Sequence, residues 1–225
     1  LATVVFERYA GPLSQIPSML ALNAIGSGRF HFWQVFTYMF LHANFEHIFF
    51  NMFAVWMFGR ILEQVWGSSR FLFYYVVCGV GAGLVQELTQ FVAFMPYMKE
   101  IHALQAMDPT QLVTINGAVK AASEWLPLFN AYIGAPTVGA SGAVYGILLA
   151  FGMLFPNQQL YIIPFPFPIK AKWLIIAYFV IELGLAFLAK GDHVAHFAHL
   201  GGMIFDLLLI LYWRKHNRSN GYYQR

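Results

Sequence analysis

A chain of 225 residues in which 59% are hydrophobic and only 10% charged, with a mean hydropathy of +0.58, is excluded from the soluble globular class. Its net charge of +3 says little by itself, because in a membrane protein the placement of Lys and Arg is what matters, and no nucleic-acid partner is expected. The single cysteine, Cys78, excludes an intrachain disulfide.

In chain order, the sequence opens on a short apolar stub, Leu1 to Phe6, followed by Glu7-Arg8. The stub reads as the end of a first membrane span whose start is missing. Residues 9–43 carry Pro12, Pro17, Gly26 and Gly28, then the run Phe30-His31-Phe32-Trp33-Gln34-Val35-Phe36. That run is too short and too aromatic for a span and is expected to lie at the membrane interface. From about Phe45 to Ile61 the chain is apolar apart from Glu46, His47 and Asn51, and a second span extends from about Phe71 to Phe94. Residues 95–138 mix polar and apolar positions and are broken by Pro96, Pro109, Pro127 and Pro136, which predicts short amphipathic helices on the outer surface. The run from Ala143 to Phe155 reaches the roughly 20 residues needed to cross a bilayer only with the residues before it. Pro156 and the stretch Pro164-Phe165-Pro166-Phe167-Pro168 predict a stiff turn, since proline cannot continue a helix. Two final spans follow, Trp173 to Leu188 and Val194 to Trp213, so that with the stub the count is six.

Basic residues set the orientation. Arg60, Arg70, Lys170, Lys172, Arg214, Lys215, Arg218 and Arg225 share one side, and Arg8, Arg29, Lys99, Lys120 and Lys190 the other. Eight against five places the C-terminal tail in the cytoplasm. The starts of the spans bearing His47, Ser141 and His199 then fall together on the outer side, where polar groups from three helices can converge.

A serine and an imidazole inside apolar runs are costly unless they serve one another or a function. Ser141 precedes a helix and an N-cap role would suit it. However, Gly139, Ala140 and Gly142 surround it with small residues that capping does not require, and these let a backbone or substrate come close. His199 is followed by Gly201 and Gly202, which permit close helix contact and favour its pairing with Ser141. An imidazole so placed can take the serine proton and later deliver it to a leaving amine. His47 and Asn51 stack on one helix face a turn apart and both offer N–H donors, suited to a developing oxyanion; a polar pair joining two helices is the other reading. His42 is expected near the mouth of the site without touching the chemistry.

These motifs resemble the rhomboid intramembrane serine proteases over nearly the whole chain. The resemblance takes in Trp33 in an interfacial loop, His42, His47 and Asn51 as His-x-x-x-x-His-x-x-x-Asn, Gly139 to Gly142 as Gly-x-Ser-Gly, and Ala198 to Gly202 as Ala-His-x-x-Gly. It implies an all-α, rhomboid-like six-helix bundle with a truncated first helix, forming one domain over 1–225. Residues 1–8 would be the remnant of the first span, 9–43 the outer loop, 44–213 the other five spans and 214–225 a basic cytoplasmic tail. It further implies a Ser141–His199 dyad without a third acid, an oxyanion site from His47, Asn51 and the Ser141 N–H, and Tyr145 packed on the catalytic imidazole. Gly139, Gly142 and Gly202 would support the site. Substrates would be transmembrane segments cut near their outer end within the bilayer, with no cofactor and no metal.

The chain departs from the family in two places. The loop motif usually reads Trp-Arg, the arginine tying the loop down, and here it is Trp33-Gln34, which leaves the anchoring of the loop open and the dyad untouched. Where the family favours Gly-x-x-x-Gly after the histidine, this chain has Gly202 followed by Asp206. Seven residues after His199, Asp206 lies about 10 Å lower on the same face, too far to orient the imidazole. A neutral, hydrogen-bonded carboxyl is expected there, and Asp206→Gly is expected to stabilise the fold. Glu182, also inside a span, faces a wet cavity or another polar group. A catalytically impaired rhomboid-like protein that binds or handles transmembrane clients is the alternative function, although such proteins normally lack the serine or the histidine. A metal site at His193, His196 and His199, or at His42 and His47, is disfavoured, because three-residue spacing walks around a helix and no His-Glu-x-x-His motif is present. A transporter would show paired broken helices in two related halves, and no such repeat is evident.

Overall fold

The computed structural model describes residues 19–115, 117–125, 136–161, 167–188 and 195–217. The stub at residues 1–6, most of the proline-rich turn, His193 and the tail from 218 onward lie outside them.

The described chain begins with a short loop and the helix Gln34–Thr37 (α1), continued by a tight 3-10 turn at Tyr38–Phe40. Next come Phe45–Trp66 (α2), with a π turn at Val55–Gly59, and Ser68–Phe94 (α3). Gly67 separates them with φ +81°, a conformation that ends one helix and reverses the chain into the next. Beyond α3 lie Met98–Ala106 (α4) and an antiparallel hairpin, Leu112–Ile115 (β1) with Ala118–Ala121 (β2). The apolar helix Ser141–Leu154 (α5), a two-residue strand pair Gln159–Leu160 (β3) with Ile169–Lys170 (β4), Ala171–Leu188 (α6) and His196–Asn217 (α7) complete it. Among the described residues, α2, α3, α6 and α7 are each long and apolar enough to cross a membrane. The chain is a mostly helical, integral membrane protein.

The hairpin corrects the expectation of helices alone across 95–138. Asn116-Gly117 between Leu112-Val113-Thr114-Ile115 and Ala118-Val119-Lys120-Ala121 is a strong hairpin signal, and Gly117 adopts φ +79°. Trp125 then donates from Nε1 to the Val113 carbonyl at 3.0 Å, and a small satellite core of Ala24, Ile101, Leu104 and Ala122 holds the hairpin and α4 together.

Helix α5 is the hub. Gly142, Ala143, Val144, Gly146, Ile147, Ala150, Phe151 and Gly152 are all buried, and α7 packs most extensively against α3 and α5. The most apolar stretch of α7 is 56% buried, whereas those of α2 and α6 are 22% and 17% buried. α2 and α6 therefore line the outside, presenting Phe49, Phe53 and Trp56, and Trp173, Phe179 and Phe187, to lipid. Close approach of α5 and α7 depends on glycine: a Cβ on Gly202 would lie 1.8 Å from the Gly142 carbonyl oxygen.

The interfacial loop has its anchor in Gln34. This fully buried amide accepts from the Asn23 and His31 backbone N–H groups, each at 3.2 Å, and donates to the Met19 and Arg29 carbonyls at 3.1 and 3.0 Å. Glutamine replaces a charged tether by spending both ends of its amide on backbone groups.

Asp206 does not pry the helices apart. It is 0% exposed, and the Tyr74 hydroxyl on α3 lies 2.5 Å from its Oδ1 and 2.7 Å from the Gly146 carbonyl of α5. The phenol has one hydrogen for two oxygens, so both contacts are satisfied when the carboxyl carries a proton and donates to Tyr74. Oδ2 has no hydrogen-bond partner among the described residues, a position that suits a neutral carboxyl and not a buried charge. This reverses the expected effect of its removal. Asp206→Gly leaves a cavity and one bond fewer, and should destabilise by about 2–4 kcal/mol. Asp206→Asn keeps the shape and a donor. Melting in detergent should show the glycine variant well below wild type and the asparagine variant near it.

Candidate active site

Local backbone sets the serine. Ala140 occupies the N-cap of α5 and offers no side-chain cap, so Ser141 is the first helical residue and its hydroxyl is not used for capping. Gly139, at φ +122°, turns the chain into the helix, and its N–H is bonded to the Tyr38 carbonyl at 2.9 Å. A Cβ there would come within 2.6 Å of the His47 ring, so Gly139 lets that imidazole lie beside Ser141.

His199, in the first turn of α7, places Nε2 2.9 Å from Ser141 Oγ. Tyr145, one turn along α5 from the serine, stacks on the His199 ring at 4.3 Å between centroids and 11° between planes. Ring stacking and the glycine contact at 142/202 together hold the imidazole against the hydroxyl.

His47 and Asn51 come from α2. With Ser141, Val144, Tyr145, Glu46 and Phe50 they line a cavity of about 310 Å³. His47 Nδ1 accepts from the Ala43 N–H at 3.3 Å, which assigns the proton of the neutral ring to Nε2, the nitrogen that faces Gly139. Asn51 donates one amide hydrogen to the His47 carbonyl at 2.7 Å and has a second to offer. His42 is buried, not merely at the mouth, and meets His47 edge-on with centroids 5.1 Å apart. Burial first, then the neighbouring His47, pulls the His42 imidazole down to about 4, so it is neutral near pH 7.

One group was not anticipated at this site. Glu182 of α6 is buried and reaches α7, with Oε2 2.6 Å from His196 Nδ1 and 3.0 Å from His199 Nδ1. Its Oε1 accepts a short hydrogen bond from the Tyr145 hydroxyl. Two histidines at i, i+3 facing an acid one helix earlier was the available signal. Three-residue spacing does not put both rings on one narrow stripe, yet a carboxylate between them serves both. Glu182, His196 and His199 present ligand atoms within 4.8 Å of one another. A metal with bonds of about 2.0–2.2 Å would hold such atoms about 3.4 Å apart. Separations of 2.6 and 3.0 Å are instead those of direct contact between the groups.

Comparison with known proteins is consistent over most of the length. A family model described as the Rhomboid domain matches residues 29–216. The chain is 27% identical over 170 residues to Rhomboid protein 1, mitochondrial, of Saccharomyces cerevisiae, covering 75% of this chain and 38% of that protein. It is 25% identical over 173 residues to Rhomboid protease GluP of Bacillus subtilis, covering 76% and 24%. It is 27% identical over 180 residues to Rhomboid protease AarA of Providencia stuartii, covering 79% and 54%. The chain thus spans between about a quarter and about half of the length of these relatives.

Proposed function

Because this chain belongs to the rhomboid family, we propose that it is an intramembrane serine endopeptidase that cuts transmembrane segments. The observation that carries the reading is the 2.9 Å contact between Ser141 Oγ and His199 Nε2 at the edge of the cavity lined by His47 and Asn51. Two relatives, GluP and AarA, are named as rhomboid proteases, which supports it.

In this reading Ser141 Oγ attacks the scissile carbonyl carbon while its proton passes to His199 Nε2. The carbonyl oxygen becomes an oxyanion, met by the second amide hydrogen of Asn51, by His47 Nε2–H and by the Ser141 N–H. His199 then gives its proton to the leaving amine nitrogen as the C–N bond breaks, leaving an acyl-serine. Water repeats the sequence: its proton goes to Nε2, the acyl–Oγ bond breaks, and Oγ recovers a proton. A helical substrate hides its carbonyls in hydrogen bonds, so it must unwind locally before Ser141 reaches one.

Three of the polar groups sit at the starts of α2, α5 and α7, which supports a site toward one face of the membrane. α5, at about 21 Å, is shorter than the roughly 30 Å apolar layer, which suits a serine below the surface. Arg214 and Lys215 end α7 on the opposite side. By the positive-inside rule that side is cytoplasmic and the site opens outward.

The reading is tested by cleavage of a transmembrane segment in proteoliposomes, wild type against Ser141→Ala. Within it, Asn51→Ala should lower turnover by about 10²–10³-fold with the fold intact, as loss of a full oxyanion donor does. An unchanged rate in a folded Asn51→Ala protein would reduce His47 and Asn51 to a polar link between α2 and its neighbours.

A further inference from the structure

The geometry points to Glu182 as a positioning residue for the catalytic histidine, turning a two-residue site into a Ser141–His199–Glu182 relay that is itself held by His196 and Tyr145. The inference rests on the protease reading and deepens it. An ionised carboxylate accepts hydrogen bonds and donates none. Three groups surround it: the His196 ring and the His199 ring at Oε2, and the Tyr145 hydroxyl at Oε1. An acceptor at 3.0 Å favours a proton on His199 Nδ1, which leaves the Nε2 lone pair facing the serine at 2.9 Å. That is the tautomer a general base requires.

The contact to His199 is close without being an aligned hydrogen bond, whereas His196 Nδ1 makes one, and it becomes an ion pair only once the His199 ring is protonated. Glu182 is therefore fixed chiefly by His196 and Tyr145, and from that fixed place it faces His199 Nδ1. Tyr145 serves twice, its ring against His199 and its hydroxyl on the carboxylate. When the serine proton reaches Nε2, positive charge appears on a ring 3.0 Å from a buried negative one, in a site where solvent screens little. No bond to Glu182 is made or broken, and the carboxylate takes no proton. A buried acid inside a lipid-facing helix is expensive, and this arrangement gives it a function that the apolar face of α6 does not explain.

The test is steady-state cleavage of a transmembrane segment by the purified chain in proteoliposomes, together with the rate at which a fluorophosphonate labels Ser141. Glu182→Gln keeps the shape but can no longer be a pure acceptor, and is expected to lower kcat by about 10²–10⁴-fold with KM and melting temperature little changed. Labelling should slow in parallel. Glu182→Asp should recover part of the loss, and His196→Gln, which loosens the carboxylate, should cost about tenfold. Wild-type kcat and labelling in Glu182→Gln would overturn the relay, as would a loss that tracks melting temperature and is not relieved by aspartate. Ser141→Ala, run alongside, separates the two claims: a cleaving Ser141→Ala protein, or an inert wild type, defeats the protease reading itself. Active wild type, inert Ser141→Ala and fully active Glu182→Gln defeat the relay alone.

Discussion

Ser141→Ala and His199→Ala are each expected to abolish cleavage, by on the order of 10⁴-fold or more, and the double variant to be no worse than either single one. The reason is that the two act as a unit: without Oγ there is no nucleophile, and without Nε2 the hydroxyl keeps its proton. Additive losses would mean that the residues contribute separately, and the 2.9 Å contact would then be incidental to catalysis. Both variants should fold. Ser141 makes no capping bond whose loss would unravel α5, and alanine at 199 removes a ring whose stacking on Tyr145 adds only modestly to helix packing. Rates are read with one transmembrane substrate in the same proteoliposomes, after each variant has been checked by melting.

Gly202→Ala is expected to produce the largest structural effect of a methyl added at any of the described glycines. The new Cβ would stand 1.8 Å from the Gly142 carbonyl oxygen and 2.6 Å from its carbon. Both atoms are backbone, so no side chain can swing aside. α5 and α7 must separate, which moves His199 away from Ser141 and opens the seam that buries Gly146 and Asp206. Overpacking of a tight core costs about 1–3 kcal/mol and occasionally more, and a backbone clash of this severity belongs at the upper end. The outcome to look for is a melting temperature far below wild type together with near-complete loss of cleavage. Gly184→Ala on α6, where a Cβ meets nothing within 4 Å, is the matched control and should melt like wild type or slightly higher. A Gly202→Ala protein that melts normally would show that α5 and α7 can part without consequence.

Much of the architecture was legible because lipid is a severe solvent. A backbone in hydrocarbon must satisfy its own hydrogen bonds, in a helix or a closed barrel. Apolar runs about 20 residues long have the length of helices, so they fix where helices lie. The runs from Phe45, Phe71 and Trp173, and the described part of the run from Val194, match helices α2, α3, α6 and α7 to within a few residues. The small residues around Ser141 and after His199 signalled close packing, and Gly142 and Gly202 do meet backbone to backbone. The hairpin at 112–121 departs from the expected helices because proline breaks mark only where a helix ends, whereas the Asn116-Gly117 sequence inside the segment is a hairpin turn signal.

By itself the sequence determined composition, span positions and the residues able to do chemistry, since these depend on local hydropathy and on the order of small and polar groups. Tertiary structure decided which of those groups meet. Gln34 anchors its loop through four backbone groups, all of them in the chain before it, and Asp206 finds its partner on α3, contacts that no periodicity records. Glu182 is the clearest case. Its oxygens reach residues 14 and 37 positions away only because α6 lies against both α5 and α7. Periodicity tells which face of a helix is apolar, but a lone polar residue on that face acquires its meaning from whatever the neighbouring helix brings opposite it, and that is fixed by packing.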